Sequence, residues 1–336
     1  MAGDVKKFIQ RQPVPEGITT LMASALATEM PDPATLSDDE ERIYTRRQMS
    51  KKGTDLYGVP VADTPTALAA AHETVQHYLT KEHIDEVLAK AVAQVDLDKD
   101  TTIHVAVPVK PDSSVNVLAT AYAATLCHEL EARAKEKGYE HLHFSDDKHL
   151  VMTSVVNRTF ADAIGRLVKL PLFDTSAFKA GDKVILADDH IQSGGFFATA
   201  FSAFPADVDV LGVATLTRHP LSASLTVHPQ VKAAFNALPD IDIVKAKLAE
   251  VGVSSDTLTD REALTVIAAM SSPENKPQFE ALLDIAGRDS AIEAIEKKDD
   301  SLNAIFMQPA MSAREFVAAM ENAIPEERKV RGGAHG

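Results

Sequence analysis

Two adjacent carboxylates and a pair of glycines stand close together in one stretch of the chain. Asp188 and Asp189 follow an apolar run, and Gly194 and Gly195 come a few residues later. Carboxylates accept hydrogen bonds from vicinal hydroxyl groups, whereas a glycine turn at the start of a helix brings backbone N–H groups close to an anion. Together, the two groups would suit a ligand that carries both a diol and a phosphate, such as a ribose 5-phosphate.

A strand, a turn and a helix have to position these groups. Residues 184–187 form the apolar run of a buried strand, and a helix is predicted from about residue 193 to residue 204. In open α/β sheets, ligands bind at the carboxyl ends of the strands. We therefore expect the acids to follow the strand directly and the glycine turn to lie beside them at that edge.

The stretch over residues 184–196 resembles a known motif, the binding motif for 5-phosphoribosyl 1-pyrophosphate (PRPP) of the type I phosphoribosyltransferases. In that family, four apolar residues, two acids and two further residues precede a glycine-rich turn that contains Thr or Ser. The residues that fill this order here are VILA, Asp188, Asp189, His190, Ile191, Gln192, Ser193, Gly194 and Gly195. The resemblance covers about residues 100–220, and its specific residues lie at 184–196.

The resemblance implies a Mg²⁺-dependent enzyme that transfers ribose 5-phosphate from PRPP to a nucleobase or another small nucleophile and releases pyrophosphate. Asp188 and Asp189 would act in catalysis and hold the ribose hydroxyls, either directly or through Mg²⁺ and its waters. The 5-phosphate would lie in a loop made of Gln192, Ser193, Gly194, Gly195 and Phe196.

The resemblance also implies two loops that receive pyrophosphate. The first follows the first core strand, predicted at residues 102–107, and comprises Val109, Lys110, Pro111, Asp112 and Ser113. The second is a catalytic loop between the second and third core strands, which corresponds to residues 145–176. Its candidate cations are Lys148, Arg158 and Arg166, among which we expect Arg158 to act in catalysis.

Two positions depart from the family pattern. Gln192 stands where many purine-using members carry an acid that acts as a base, and Gln takes no proton at neutral pH. An acceptor that needs no deprotonation, or a base from elsewhere, is then implied; we expect His190 to pack beside the site. Phe196 stands where a hydroxyl group is common. Both departures favour a second interpretation, a non-catalytic PRPP- or nucleotide-sensing regulatory protein with the same fold.

The order of the predicted elements indicates an α/β fold, a mostly parallel sheet flanked by helices. A strand, a helix, two strands, a helix and a last strand follow one another between residues 102 and 215. We expect a phosphoribosyltransferase-like core at residues 99–230. A helical extension at 1–98 and a helical region at 231–336 flank it in this prediction.

The flanking regions carry little chemical signal. Residues 1–60 are expected to form either a solvated arm or a segment that reaches over a pocket or a neighbouring subunit. A helix is predicted from Thr64 to about Val95. Capping boxes that begin at Thr259 and Ser312 predict two further helix starts.

The composition restricts partners and compartment. The chain has 34 Lys and Arg against 49 Asp and Glu, a net charge of −15, which disfavours nucleic acids and anionic membranes but permits a small basic pocket. Its single cysteine, Cys127, excludes an intrachain disulfide and a multi-cysteine metal site. No apolar run has the length of a membrane span or signal peptide. We expect a cytoplasmic homodimer that binds small molecules.

Overall fold

The structure is a computed structural model that describes part of the chain. The described residues are 10–15, 18, 20–23, 64–109, 117–153, 166–167, 170–218, 224–273, 276–277, 279–280 and 283. Five predicted site residues lie outside them, namely Lys110, Pro111, Asp112, Ser113 and Arg158. The capping box predicted at Ser312 also lies outside the described residues.

A mostly parallel sheet forms the middle of the molecule. Its seven strands are β1 (Thr20–Met22), β2 (Thr101–Val109), β3 (Leu142–Ser145), β4 (His149–Met152), β5 (Phe173–Asp174), β6 (Lys183–Ile191) and β7 (Asp209–Arg218). The order is β1-β7-β6-β2-β4-β5, and β3 pairs with the first half of β2. The β4–β5 pairing is antiparallel, whereas the other pairings described are parallel. The predicted α/β fold class with a mostly parallel sheet is confirmed.

Helices cover both faces of this sheet. They are α1 (Thr64–Tyr78), α2 (Lys81–Val92), α3 (Val117–Glu136), α4 (Gly195–Ala203), α5 (Pro229–Asn236), α6 (Ile241–Glu250) and α7 (Asp260–Ser271). Among the described residues, no helix has the length and apolar character needed to cross a membrane.

The residues of β6 show which helices lie on which face. Ile185 and Ala187 belong to the apolar cluster that contains the buried residues of α1, α2 and α3. Val184 and Leu186 belong to a second cluster, together with Phe197 of α4. Because successive residues of a strand point to opposite faces, the sheet is buried on both sides.

The last three helices form a third apolar cluster. Phe235 of α5, Leu248 of α6 and Leu264 of α7 are buried in it. Leu167, which precedes β5, is buried in the same cluster and links the stretch before β5 to these helices.

The strand that carries the acids is longer than predicted. β6 continues through Ile191 instead of ending at residue 187. It does so because β7 pairs with it along this whole length, with Thr215 beside Asp188 and Thr217 beside His190. The acids therefore lie in the last part of the strand rather than after it.

The regions predicted as helical or irregular also contain strands. β1 pairs in parallel with β7, so residues 1–98 contribute a strand to the sheet as well as helices. The stretch at 145–176 contains β4 and β5. The helix predicted from Thr64 to about Val95 is two helices, because Thr80 caps α2 by accepting a hydrogen bond from the His83 N–H at 3.2 Å. The proposed divisions at residues 98 and 230 stay predictions.

Candidate functional site

Some of the predicted site residues lie where three neighbouring strands end. β2 pairs with β6, with Ala106 beside Leu186, and β6 pairs with β7, with Ile191 beside Arg218. Val109 is the last residue of β2, so the predicted pyrophosphate loop starts at this edge, although its other residues lie outside the described part. The carboxyl ends of parallel strands are where ligands bind in such sheets.

The two acids of β6 point to opposite faces of the sheet. Asp188 alternates in phase with Leu186, which faces α4, and Asp189 with Ala187, which faces α1–α3. Both are half-buried, and Oδ1 of Asp188 accepts a hydrogen bond from the N–H of Asp189 at 2.9 Å. A ligand held by both carboxylates therefore has to lie across the end of the strand.

His190 is held by hydrogen bonds on both ring nitrogens. Nδ1 lies 2.8 Å from Thr217 Oγ1, and Nε2 lies 3.0 Å from Gln192 Oε1. Gln192 Oε1 only accepts hydrogen bonds, so Nε2 carries the hydrogen of that contact. In a neutral ring, Nδ1 then accepts from the Thr217 hydroxyl. The ring nitrogen that faces Gln192 is therefore a hydrogen-bond donor.

The glycine turn connects β6 to α4. Gly194 is the N-cap residue of α4 and has φ +78°, a conformation that favours glycine. Ser193, Gly194 and Gly195 are all buried. Within the described part of the chain, their N–H groups form no hydrogen bond. These N–H groups belong to the partial positive charge of a helix N-terminus.

The rear of the turn is closed by close packing. A Cβ atom on Gly194 would lie 3.1 Å from Thr259 Cγ2 and 3.2 Å from Leu225 Cδ2. On Gly195, a Cβ atom would lie 1.7 Å from Glu262 Oε1, which no real side chain tolerates. Both glycines thus have a packing reason that does not depend on a phosphate.

A buried ion pair fills the space behind Gly195. The side chains of Arg11 and Glu262 are 0% and 1% exposed, and two N–H···O contacts of 2.7 and 2.8 Å join them. The other guanidinium N–H groups donate to Thr199 Oγ1 at 2.9 Å, to Thr257 O at 3.3 Å and to Gly195 O at 2.7 Å. All five donors are used, which removes the cost of burying an unpartnered charge.

The first turn of α7 is tied to the same place. The Thr259 side chain accepts from the Glu262 N–H at 3.3 Å, and Glu262 Oε2 accepts from the Thr259 N–H at 3.1 Å, so the predicted capping box is confirmed. The Thr259 hydroxyl also donates to the carbonyl of Ser193 at 2.6 Å. The sequence showed the box but no sign of where it docks, and nothing in it singled out Arg11.

Arg261 lies at the entry to the turn, and Arg166 lies near Arg261. Arg261 donates from Nη1 to the carbonyl of Gln192. Burial, and secondarily the positive charge of Arg166, lowers the pKa of Arg261 to about 10. Arg166 is one of the three cations predicted for pyrophosphate, and its neighbour Leu167 packs in the cluster that includes α7. This part of the edge therefore carries positive charge.

Two other predicted site residues make contacts of a different kind. Lys148 forms an ion pair with Asp182, which directly precedes β6, and so lies towards the opposite end of that strand from the acids. The Phe196 ring packs edge-on against Phe173 at 5.3 Å and Phe197 at 5.5 Å between centroids. Phe196 thereby links the turn to β5 through apolar contact.

The donor set limits how a metal could bind. Among the described residues, no group of three or more His, Cys, Asp or Glu side chains is arranged to hold a metal. Mg²⁺ is often bound by one or two carboxylates, with the remaining ligands from substrate phosphates and water. Asp188 and Asp189 fit a site of this kind, in which one or two carboxylates share the ion with substrate and water.

A groove elsewhere on the molecule contains none of these residues. It lies between α1, the start of α2 and α3, with a volume of about 1040 Å³. Leu79 and Ile84 are among its apolar lining residues, and His72, His128 and Glu129 are among its polar ones. It is on the helical layer and not at the carboxyl ends of the strands.

The chain was compared with protein-family models, with curated proteins and with solved structures, and no match was found in any of the three comparisons.

Proposed function

We propose that the protein is a phosphoribosyltransferase of type I, which transfers the ribose 5-phosphate of PRPP to a small nucleophile and releases pyrophosphate. The observation that carries the proposal is the junction of β6 and α4. Two consecutive carboxylates lie in the last part of a parallel strand, and after three intervening residues a buried Ser-Gly-Gly turn leads into a helix. Carboxylates for a diol and backbone donors for a phosphate then lie next to each other.

In this proposal each residue acts mainly by position and charge. The bond from C1 of the ribose to pyrophosphate breaks, pyrophosphate leaves with the electron pair, and the acceptor forms the new bond to C1. Asp188 and Asp189 accept hydrogen bonds from the ribose hydroxyls and stabilise positive charge that develops on the ring. The N–H groups of Ser193 and Gly194 hold the 5-phosphate. Arg166 stabilises the departing pyrophosphate.

An acceptor that loses a proton needs a base. Gln192 supplies none at neutral pH. Nε2 of His190, which lies 3.0 Å from Gln192 Oε1, is within reach of the same position. Because Oε1 only accepts hydrogen bonds, Nε2 carries a hydrogen in this contact and cannot take up the proton. We therefore propose an acceptor that needs no deprotonation.

Mg²⁺ fits the proposed site as an ion that arrives with the substrate. The residues that would contact it, or its waters, are Asp188 and Asp189. When bound, the ion would neutralise charge on the pyrophosphate. Their position on opposite faces of β6 favours one carboxylate at a time as a direct ligand.

A non-catalytic PRPP or nucleotide sensor is the second candidate. Phe196 favours it, because the end of the turn is an aromatic ring packed against Phe173 and Phe197 instead of a hydroxyl group. In this alternative the pocket binds the ribose 5-phosphate, and the helices beside the turn transmit the bound state.

Calorimetric titration of the protein with PRPP and Mg²⁺ tests the shared binding site. Asp188→Asn and Asp189→Asn should each weaken binding by roughly 10- to 100-fold, because a hydrogen bond to a charged group is lost. Asp209→Asn, which removes an acid at the amino end of β7, is the control and should bind as the wild type does. Unchanged affinity in both site variants would reject the assignment.

Pyrophosphate release separates the two candidates. The wild-type protein is incubated with PRPP, Mg²⁺ and a panel of nucleobases and amines. Release that depends on the acceptor identifies a transferase. Binding of PRPP without release across the panel identifies the sensor.

A further inference from the structure

Three side chains from outside the β6–α4 junction hold backbone carbonyls of the glycine turn. Arg261 donates to Gln192 O, Thr259 to Ser193 O at 2.6 Å, and Arg11 to Gly195 O at 2.7 Å. We refer to Arg11, Thr259 and Arg261 as the carbonyl clamp. The clamp residues come from the segment at residues 10–15 and from the start of α7, which the sequence places far from the motif.

We propose that the carbonyl clamp positions the glycine turn for phosphate binding, so that the segment at 10–15 and α7 are working parts of the site. The inference rests on the proposed phosphate site. In a planar trans peptide, the N–H group points away from the C=O group of the preceding residue. A donor that holds Gln192 O therefore aims the N–H of Ser193, and one that holds Ser193 O aims the N–H of Gly194.

The clamp thereby sorts the two polar sides of the turn. Carbonyl oxygens, which repel an anion, are turned towards Arg11, Thr259 and Arg261. The N–H groups, which attract an anion, are turned to the other side. A phosphate loop gains affinity when its donors are fixed before the ligand arrives, since no ordering is then needed on binding.

The clamp is itself held rigidly. Glu262 pairs with Arg11 through both carboxylate oxygens and accepts the Thr259 N–H at 3.1 Å. Thr199 Oγ1 donates to Gly195 O at 2.8 Å, so this carbonyl has a second donor besides Arg11. Burial of the Arg11 and Glu262 side chains, at 0% and 1% exposure, keeps water out of these contacts. The turn cannot rotate its peptide groups without breaking several of them.

Thr259 offers the sharpest test, because another threonine has the same capping role away from the turn. Thr259→Val removes the hydroxyl that donates to Ser193 O, and Thr259→Ser restores it. Thr80→Val removes the N-cap hydroxyl of α2 and serves as the control. Each variant is titrated with ribose 5-phosphate in a calorimeter.

The expected result is a loss of affinity in Thr259→Val of about tenfold or more. Thr259→Ser and Thr80→Val should bind with an affinity close to that of the wild type. If Thr259 only stabilised its helix, Thr259→Val and Thr80→Val would change the affinity to the same extent. If the wild type releases pyrophosphate in the assay above, Thr259→Val should raise KM for PRPP by a larger factor than it lowers kcat. Equal affinities of Thr259→Val and the wild type, or an equal loss in Thr80→Val, would overturn the proposal.

If the wild-type protein bound no ribose 5-phosphate, the proposed function would be rejected, but the positioning of the turn by the carbonyl clamp would still have to be tested. Hydrogen exchange at the amides of Ser193 and Gly194 then decides. Exchange that is faster in Thr259→Val than in Thr80→Val supports positioning of the turn by the clamp, and equal exchange in the two variants overturns it.

Discussion

The two helical layers of the molecule each bury a titratable pair, and they do so in different ways. On the α4 side of the sheet, Arg11 and Glu262 form an ion pair whose guanidinium uses every donor. On the α1–α3 side, His83 Nε2 lies 2.7 Å from the Tyr122 hydroxyl, and His83 Nδ1 has no hydrogen-bond partner among the described residues.

The difference lies in the charge that each pair keeps. Burial lowers the pKa of His83 to about 4 and raises the pKa of Tyr122, so this pair is neutral near pH 7. A neutral pair tolerates one orphan nitrogen, whereas a buried guanidinium needs a complete set of acceptors. The charged pair lies against the candidate site, whereas the neutral pair lies in the layer formed by α1–α3.

Breaking the charged pair should have the largest effect on stability. Arg11→Met leaves the Glu262 carboxylate buried without its cation, and we expect the free energy of unfolding to fall by about 3–5 kcal/mol. Urea denaturation at pH 7 measures the change. The double variant Arg11→Met/Glu262→Leu should regain a large part of this loss. A double variant no more stable than Arg11→Met would show that lost packing, and not the unpaired charge, causes the effect.

Acid should weaken the neutral pair. The pKa of His83 is about 4 in the folded protein and about 6.5 in the unfolded chain, so the unfolded state takes up the proton first as the pH falls. The contribution of neutral His83 to the free energy of unfolding is fully present above pH 6.5. It is lost as the pH falls towards 4, and the free energy of unfolding then decreases by about 3 kcal/mol. His83→Gln should remove this slope in urea titrations between pH 4 and 6.5. His149→Gln, which changes an exposed histidine, should keep it; a slope that persists in His83→Gln would refute the assignment.

Gly195→Ala disturbs the charged pair by size instead of charge. The added Cβ atom would lie 1.7 Å from Glu262 Oε1, so the Arg11–Glu262 pair has to move. We expect this to lower the free energy of unfolding by about 1–3 kcal/mol. Gly138→Ala is the control for backbone strain, because Gly138 has a positive φ near a helix end, which Gly195 does not, and nothing lies within 4 Å of the added atom. There we expect a loss of about 1 kcal/mol from backbone strain alone. Thermal or urea unfolding compares the two, and a larger loss in Gly138→Ala would contradict the packing at Gly195.

The sequence predicted the parts of the fold that have local signals. The apolar run before Asp188 and the helix that follows the glycine turn both have patterns of composition or periodicity, and the structure confirms them. The capping box at Thr259 is a local pattern of the same kind and is also confirmed. Local hydrogen bonding and burial determine these features, so a few neighbouring residues are enough to reveal them.

Features that depend on distant partners were missed. β1 has three residues and exists because β7 offers an edge to it. The extension of β6 through Asp188 likewise depends on Thr215 and Thr217 of β7. Arg11 looks like any exposed arginine in the sequence, and its burial follows from a carboxylate 251 positions away. The roles predicted for the acids and the turn are chemical and stay predictions.

That separation has a consequence for how the protein is made. Residues leave the ribosome at about 5–20 per second, so Arg11 emerges roughly 10–50 s before Glu262, which follows it by 251 positions. During this interval the guanidinium stays in water, and the segment around it cannot settle on α4. The contacts between Arg11 and Glu262 behind the glycine turn therefore form late in folding, and long-range contacts of this kind form slowly. A nascent chain stalled before residue 262 would show the sheet's strands without these contacts.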